Sequence, residues 1–141
     1  MSSTSAALRE DALSATPDGF ELRVGLPWIR SMPLWGVSEL TVTLDGRRLA
    51  ESELTILLGS RRVAPSALAD EVNRWWFLQD RLVLAGTRLL EAGAHRVCVD
   101  FRMLVPYLSG APGTPLVLPF HLEAQLELDH PPPPSVARDV A

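Results

Sequence analysis

Apolar and polar residues alternate along most of this chain with a period of two, the signature of β-strands that bury one face and solvate the other. Phe20, Leu22, Val24 and Leu26 alternate with Glu21, Arg23 and Gly25. Leu40, Val42 and Leu44 alternate with Glu39, Thr41 and Thr43, and the run closes on Asp45-Gly46, a hairpin dipeptide, with a return strand through Arg48 and Leu49. Leu54, Ile56 and Leu58 give another short strand, and Leu82 and Leu84 a further one ended by Gly86. Between them, Pro65 to Val72 changes period and predicts one short helix with Ser66 as its N-cap. The two longest runs come last. Val97, Val99, Phe101, Met103 and Val105 alternate with polar neighbours, and so do Leu116, Leu118, Phe120, Leu122, Ala124, Leu126 and Leu128. Long alternating strands at short spacing predict an all-β fold, an antiparallel β-sandwich or partly closed barrel. Pro119 lacks an amide hydrogen, which places the last strand at a sheet edge or at a bulge.

The alternation breaks between Pro27 and Val37, in PWIRSMPLWGV. Its prolines exclude a helix or a central strand, so two tryptophans and an arginine sit on a loop. A second aromatic block, Trp75-Trp76-Phe77-Leu78, puts Trp75 and Phe77 on one face and Trp76 and Leu78 on the other, so one tryptophan must lie outside the main core. These signals divide the chain into a loose N-terminal arm over residues 1–18, a β-sandwich domain over 19–129 and a Pro-rich tail over 130–141.

With 141 residues the chain has the length of one domain. Its net charge is -4 and all thirteen basic residues are Arg, spread along the chain instead of gathered into a patch, which argues against nucleic acid. No apolar run is long enough to cross a bilayer, and the N-terminus lacks a basic and then apolar leader, so a cytoplasmic location and no membrane partner are expected. The single cysteine, Cys98, has no CxxC neighbour for zinc or redox chemistry.

Candidate chemistry is sparse. His95, His121 and His130 have no second ligand at metal spacing on their own elements, so no metal site is expected. In the simplest register of the last two strands Asp100 faces His121, with Cys98 on the same side. Cross-strand opposite charges are ordinary on solvated faces, and no nucleophile signature accompanies the pair, so no catalytic residue is assigned. The Ser109 to Pro115 segment has neither the ending nor the helix of a phosphate loop. Arg30, a fork of donors between aromatic anchors, suits a carboxylate or a partner's backbone.

The residues Leu26-Pro27-Trp28 with Arg30-Ser31 and Pro33-Leu34, the LDGRRL hairpin, the Trp-Trp-Phe block before Asp80, the turn Glu91 to His95 and the Val105-Pro106-Tyr107 ending resemble the small β subunit of C-glycoside deglycosidases, from about Gly19 to Leu128. The position after Trp28, commonly aromatic in such proteins, is Ile29. The resemblance implies a β-sandwich-like subunit bound to a larger barrel-type α subunit, similar to sugar phosphate isomerases. Such pairs are lyases of carbohydrate metabolism that cleave the bond between a 3-oxo-sugar and its aglycone, by proton abstraction next to the ketone and elimination. The same resemblance places the base and a divalent metal, manganese or magnesium, mainly on the α subunit, and no cofactor on this chain. Trp28, Arg30, Trp35 and Tyr107 are then the expected contacts to the partner or to a glycoside near the interface. A free-standing carbohydrate-binding sandwich that uses its tryptophans as a platform, and a self-assembling domain, are the alternatives.

Overall fold

The strands form two open antiparallel sheets around one apolar core in the computed structural model, which describes residues 7–28, 30–111, 113–130 and 138–139. In the first sheet β1 (Leu13–Thr16), β2 (Gly19–Gly25), β9 (Asp80–Gly86), β6 (Leu54–Leu58) and β7 (Arg61–Val63) follow one another, with β12 (Arg138–Asp139) paired in parallel to β9. The second sheet runs β11 (Thr114–Glu127), β10 (Ala94–Ala111), β4 (Val37–Leu44) and β5 (Arg47–Arg48). A third, two-residue ladder joins β3 (Met32–Pro33) to β8 (Trp75–Trp76). Neither sheet closes on itself, so the architecture is the sandwich and not the barrel.

The alternation places the core. Phe20, Leu22 and Val24 of β2, Leu82 and Leu84 of β9 and Ile56 of β6 share one buried cluster with Val42 of β4 and Val97, Val99 and Phe101 of β10. β9, the central strand of its sheet, is buried at every position. Asp45 and Gly46 take φ of 50° and 83°, so the turn between β4 and β5 has positive φ at both central residues, the twist a two-residue hairpin needs. Where β4 pairs with β10 the register slips between Thr41 and Ser38, and Glu39 takes up the bulge at φ 54°. Pro119 lies on the edge strand β11, as its missing donor requires.

Three expectations change. The arm predicted over residues 1–18 belongs to the fold from residue 7 onward. Ala7, Leu8, Ala12 and Leu13 are buried, and β1 adds an edge to β2. Asp129 seals this edge by accepting the Ala15 amide at 2.8 Å and donating its own amide to the Leu13 carbonyl at 2.9 Å. Asp11 accepts two hydrogen bonds of 3.1 Å from Arg81, both side chains being buried. Four small or adjacent apolar residues carry no clear period, so the pattern missed this segment.

The helix expected at Pro65 to Val72 is a 3-10 helix over Pro65–Asp70. Its cap position is Ala64, not Ser66, because Pro65 fits the first helical position where no amide donor is needed. Trp76 and Leu78, which alternation puts on one face, part company: Trp76 is buried and Leu78 exposed, since the chain leaves the ladder after Trp76. Of the tail over 130–141, residues 131–137 and 140–141 lie outside the described residues. No helix of the described residues is long and apolar enough to cross a membrane.

Candidate functional site

The proline-broken loop is pinned along its length to the second aromatic block. Met32 pairs with Trp76 and Pro33 with Trp75. The Leu34 amide donates to the Arg74 carbonyl at 3.0 Å, and the Leu78 amide donates to Ser31 Oγ at 2.9 Å. The Asp80 amide closes a turn on the Phe77 carbonyl at 3.0 Å. Hydrogen bonds from both ends therefore fix the backbone of two segments that are irregular in sequence.

Strand alternation then divides the aromatic block. Trp76 is 1% exposed, donates through Nε1 to the Asp80 carbonyl at 3.3 Å, and packs on Phe101 at 5.9 Å between ring centroids. Phe101 stacks on its cross-strand neighbour Phe120 at 5.2 Å, and Phe120 meets Trp28 edge to face at 6.0 Å. Trp28 is thus half-buried, closing the inner side of the β10–β11 hairpin. The opposite side of the block faces outward: Trp75 is 45%, Phe77 42%, Leu78 48% and Val72 66% exposed. Single exposed apolar residues need no explanation, but here four fall within seven positions, next to backbone fixed by hydrogen bonds to the loop.

The expected contact residues come from three segments of the chain, Trp28 and Arg30 before β3, Trp35 after it and Tyr107 on β10. Trp28 turns to Phe120, Arg30 is exposed beside it, and Trp35 sits half-buried in the 3-10 turn Leu34–Gly36, where Gly36 lies close against Leu104. Tyr107 lies on β10, with its side chain outside the described residues, as is Ile29. Trp75 and Phe77, which the sequence put on a common face, are the residues that form the rim.

Two polar constellations flank this frame. At the far end of β10, His95 is buried, with Nδ1 2.7 Å from Asp45 and Nε2 2.7 Å from the Glu91 carbonyl. Acceptors at both ring nitrogens are satisfied together only by the imidazolium. The Asp45 carboxylate first, and then the Glu91 carbonyl, raise the His95 pKa above its ordinary 6.5, and His95 in turn is the main cause that lowers Asp45 below 3.8. A raised folded-state pKa gives stability that is complete below 6.5 and lost as pH climbs through the raised value, while the Asp45 contribution is present above 3.8 and lost as pH falls through the lowered one. The urea midpoint should therefore fall as pH rises above the ordinary 6.5 and through the raised His95 value, and His95→Gln should flatten that slope. An equal slope in the variant would contradict the role.

On the outward face of the β10–β11 hairpin, Asp100 faces His121 and Cys98 faces Glu123 as direct cross-strand pairs. His121 Nδ1 donates to Asp100 at 2.5 Å, His121 Nε2 lies 3.3 Å from Glu123, and Arg96 pairs with the other Glu123 oxygen. The Asp100 hydrogen bond, and secondly Glu123, raise the His121 pKa, and the bonds from His121 and then Arg96 lower that of Glu123. The expected Asp100–His121 pairing is present. Glu123 went unnoticed, although the register that sets Asp100 against His121 also sets Cys98 against Glu123.

The family model described as C-glycoside deglycosidase beta subunit matches residues 4–107. The chain is similar to a 3'-dehydrocarminate deglycosidase beta subunit from Microbacterium sp, 38% identical over 76% of this chain and 81% of that one. A C-glycoside deglycosidase beta subunit from Microbacterium trichothecenolyticum is 30% identical over 62% of this chain and 67% of its own length. The residues the family model matches include the pinned loop and the aromatic rim, and the chain belongs to the C-glycoside deglycosidase beta subunit family.

Proposed function

We propose that this chain is the accessory subunit of a heteromeric C-glycoside deglycosidase and seats its aromatic rim against a barrel-type α subunit. The observation that carries the proposal is the outward set Val72, Trp75, Phe77 and Leu78, fixed by hydrogen bonds to the loop over residues 27–36, within the segment the family model matches. Aromatic residues on a rigid backbone make strong interface anchors, because they bury much area at little loss of conformational freedom. In this reading the α subunit holds a manganese or magnesium ion and abstracts a proton beside the ketone of a 3-oxo-glycoside, and elimination releases the aglycone. This chain stabilises the partner and helps close the pocket. Arg30, exposed on the same loop, is the basic residue of this segment suited to a partner carboxylate or to the glycoside. The single cysteine, which cannot form an internal disulfide, is compatible with work in the reducing cytoplasm.

The test is to assay deglycosylation of an oxidised C-glycoside with each chain alone and with both. Activity only in the mixture is expected, and full turnover by either chain alone overturns the proposal. Saturable binding of glycosides to the isolated chain in a calorimetric titration would instead favour a free-standing carbohydrate-binding module.

A further inference from the structure

We propose that the outward face of the β10–β11 hairpin is a zinc site, with Cys98 Sγ, His121 Nε2 and a Glu123 carboxylate oxygen as its three protein ligands. The ligand atoms of these residues lie within 4.8 Å of one another. Tetrahedral zinc with bonds of about 2.0–2.3 Å holds neighbouring ligands about 3.5 Å apart, so the side chains need to close by roughly 1 Å. The exposed His121 and Glu123 side chains have that freedom beside the half-buried Cys98, and the backbone sets them side by side: Cys98 and Glu123 form one cross-strand pair, Asp100 and His121 the next.

The tautomer of His121 is set by its neighbour. Asp100 accepts from Nδ1 at 2.5 Å, which fixes a proton there and leaves Nε2, 3.3 Å from Glu123, as the ring nitrogen a metal takes in exchange for a proton. A carboxylate behind a histidine is the usual support for a zinc-bound imidazole. Donor chemistry selects the ion, because thiolate with imidazole favours zinc, whereas manganese and magnesium favour oxygen. The site is therefore distinct from the metal expected on the partner subunit. Three ligands leave the fourth position to water.

Binding displaces protons. Zinc takes a thiolate and a neutral imidazole nitrogen, so the ion must displace the thiol proton and any proton on His121 Nε2. The charged groups facing the site are Arg96 and Asp100 on β10, Glu123 on β11 and, beyond Thr43 of β4, Arg48 on β5. Affinity should rise with pH. Arg96 competes for Glu123, so Arg96→Gln should tighten binding.

The experiment titrates the chelator-treated full chain with cobalt(II). Cys98 is the only cysteine of the chain, so a thiolate-to-cobalt charge-transfer band reports this thiol alone. The band should appear at micromolar cobalt, be erased by one equivalent of zinc, and vanish in Cys98→Ser. Affinity should drop about 10- to 100-fold in His121→Ala, Glu123→Gln and, through lost positioning, Asp100→Asn, while His130→Ala leaves it unchanged. Unchanged circular dichroism in the variants separates loss of the site from loss of the fold. No band, a band only at millimolar cobalt, or one indifferent to His121→Ala and Glu123→Gln overturns the proposal.

Discussion

Gly19→Ala is expected to destabilise the chain by about 3 kcal/mol or more and to lower its melting temperature by about 10 °C. A Cβ at Gly19 would lie 2.0 Å from the Gly86 carbonyl oxygen and 2.9 Å from the Thr87 carbonyl carbon, both backbone atoms of the strand β9 and its continuation. β2 crosses β9 there at van der Waals limit, with Phe20 paired to Gly86. Backbone cannot rotate out of the way, so the first sheet must open. Gly86→Ala makes the informative comparison, since its Cβ would meet the Phe20 ring at 2.2 Å, a side chain with no exposed surface. Phe20→Leu should partly rescue Gly86→Ala and should not rescue Gly19→Ala. Gly46→Ala has nothing within 4 Å and only a positive φ of 83° to resist it, so its effect should stay near 1 kcal/mol. Thermal unfolding followed by circular dichroism reads all of these variants, and a Gly19→Ala protein as stable as the parent would contradict the close approach.

The second large effect concerns assembly. Replacing Trp75 and Phe77 together by Ser should weaken pairing with the partner subunit by about 2 kcal/mol or more, at least about 30-fold, while leaving the melting temperature of the isolated chain nearly unchanged. Both side chains are more than two-fifths exposed, so the fold does not depend on them. Trp76→Ser, one position between them, should do the reverse and cost about 3–5 kcal/mol of stability, because it empties a fully buried site against Phe101. Arg30→Ala should act on assembly or turnover without altering the fold. Trp28→Ala should affect both, since Trp28 packs on Phe120. Affinity measured by interferometry and stability measured by calorimetry separate the two classes. Wild-type affinity in the Trp75 and Phe77 double variant would remove the rim from the interface.

Much of this was legible in the residues because a half-buried strand writes its own face into the sequence. The runs through Phe20 to Leu26, Leu40 to Leu44 and Val97 to Val105 appear as β2, β4 and β10, the Asp45-Gly46 turn has its expected positive φ, and Asp100 stands opposite His121. What the pattern could not carry was contact between distant segments. β3 and β8 are two-residue strands joining residues more than forty positions apart, and nothing in Met32-Pro33 announces its pairing with Trp75-Trp76. The same holds for Asp11 and Arg81 and for His95 and Asp45, whose charges are neighbours only once the sheets have packed. The loop between Pro27 and Val37 was recognised as irregular, but the side of the aromatic block that it leaves exposed depends on this long-range ladder. Leu78 shows the limit: two-residue alternation puts it on the face of Trp76, and a turn after Trp76 leaves it exposed while Trp76 is buried.

Hydrogen–deuterium exchange of this chain, alone and with its partner subunit, tests the location of the interface most directly. Residues 72–78 and 30–36 should gain protection in the complex, and the outward face of the β10–β11 hairpin should exchange as it does in the free chain. Protection confined to that hairpin, with the rim over Trp75 to Leu78 unchanged, would contradict the assignment.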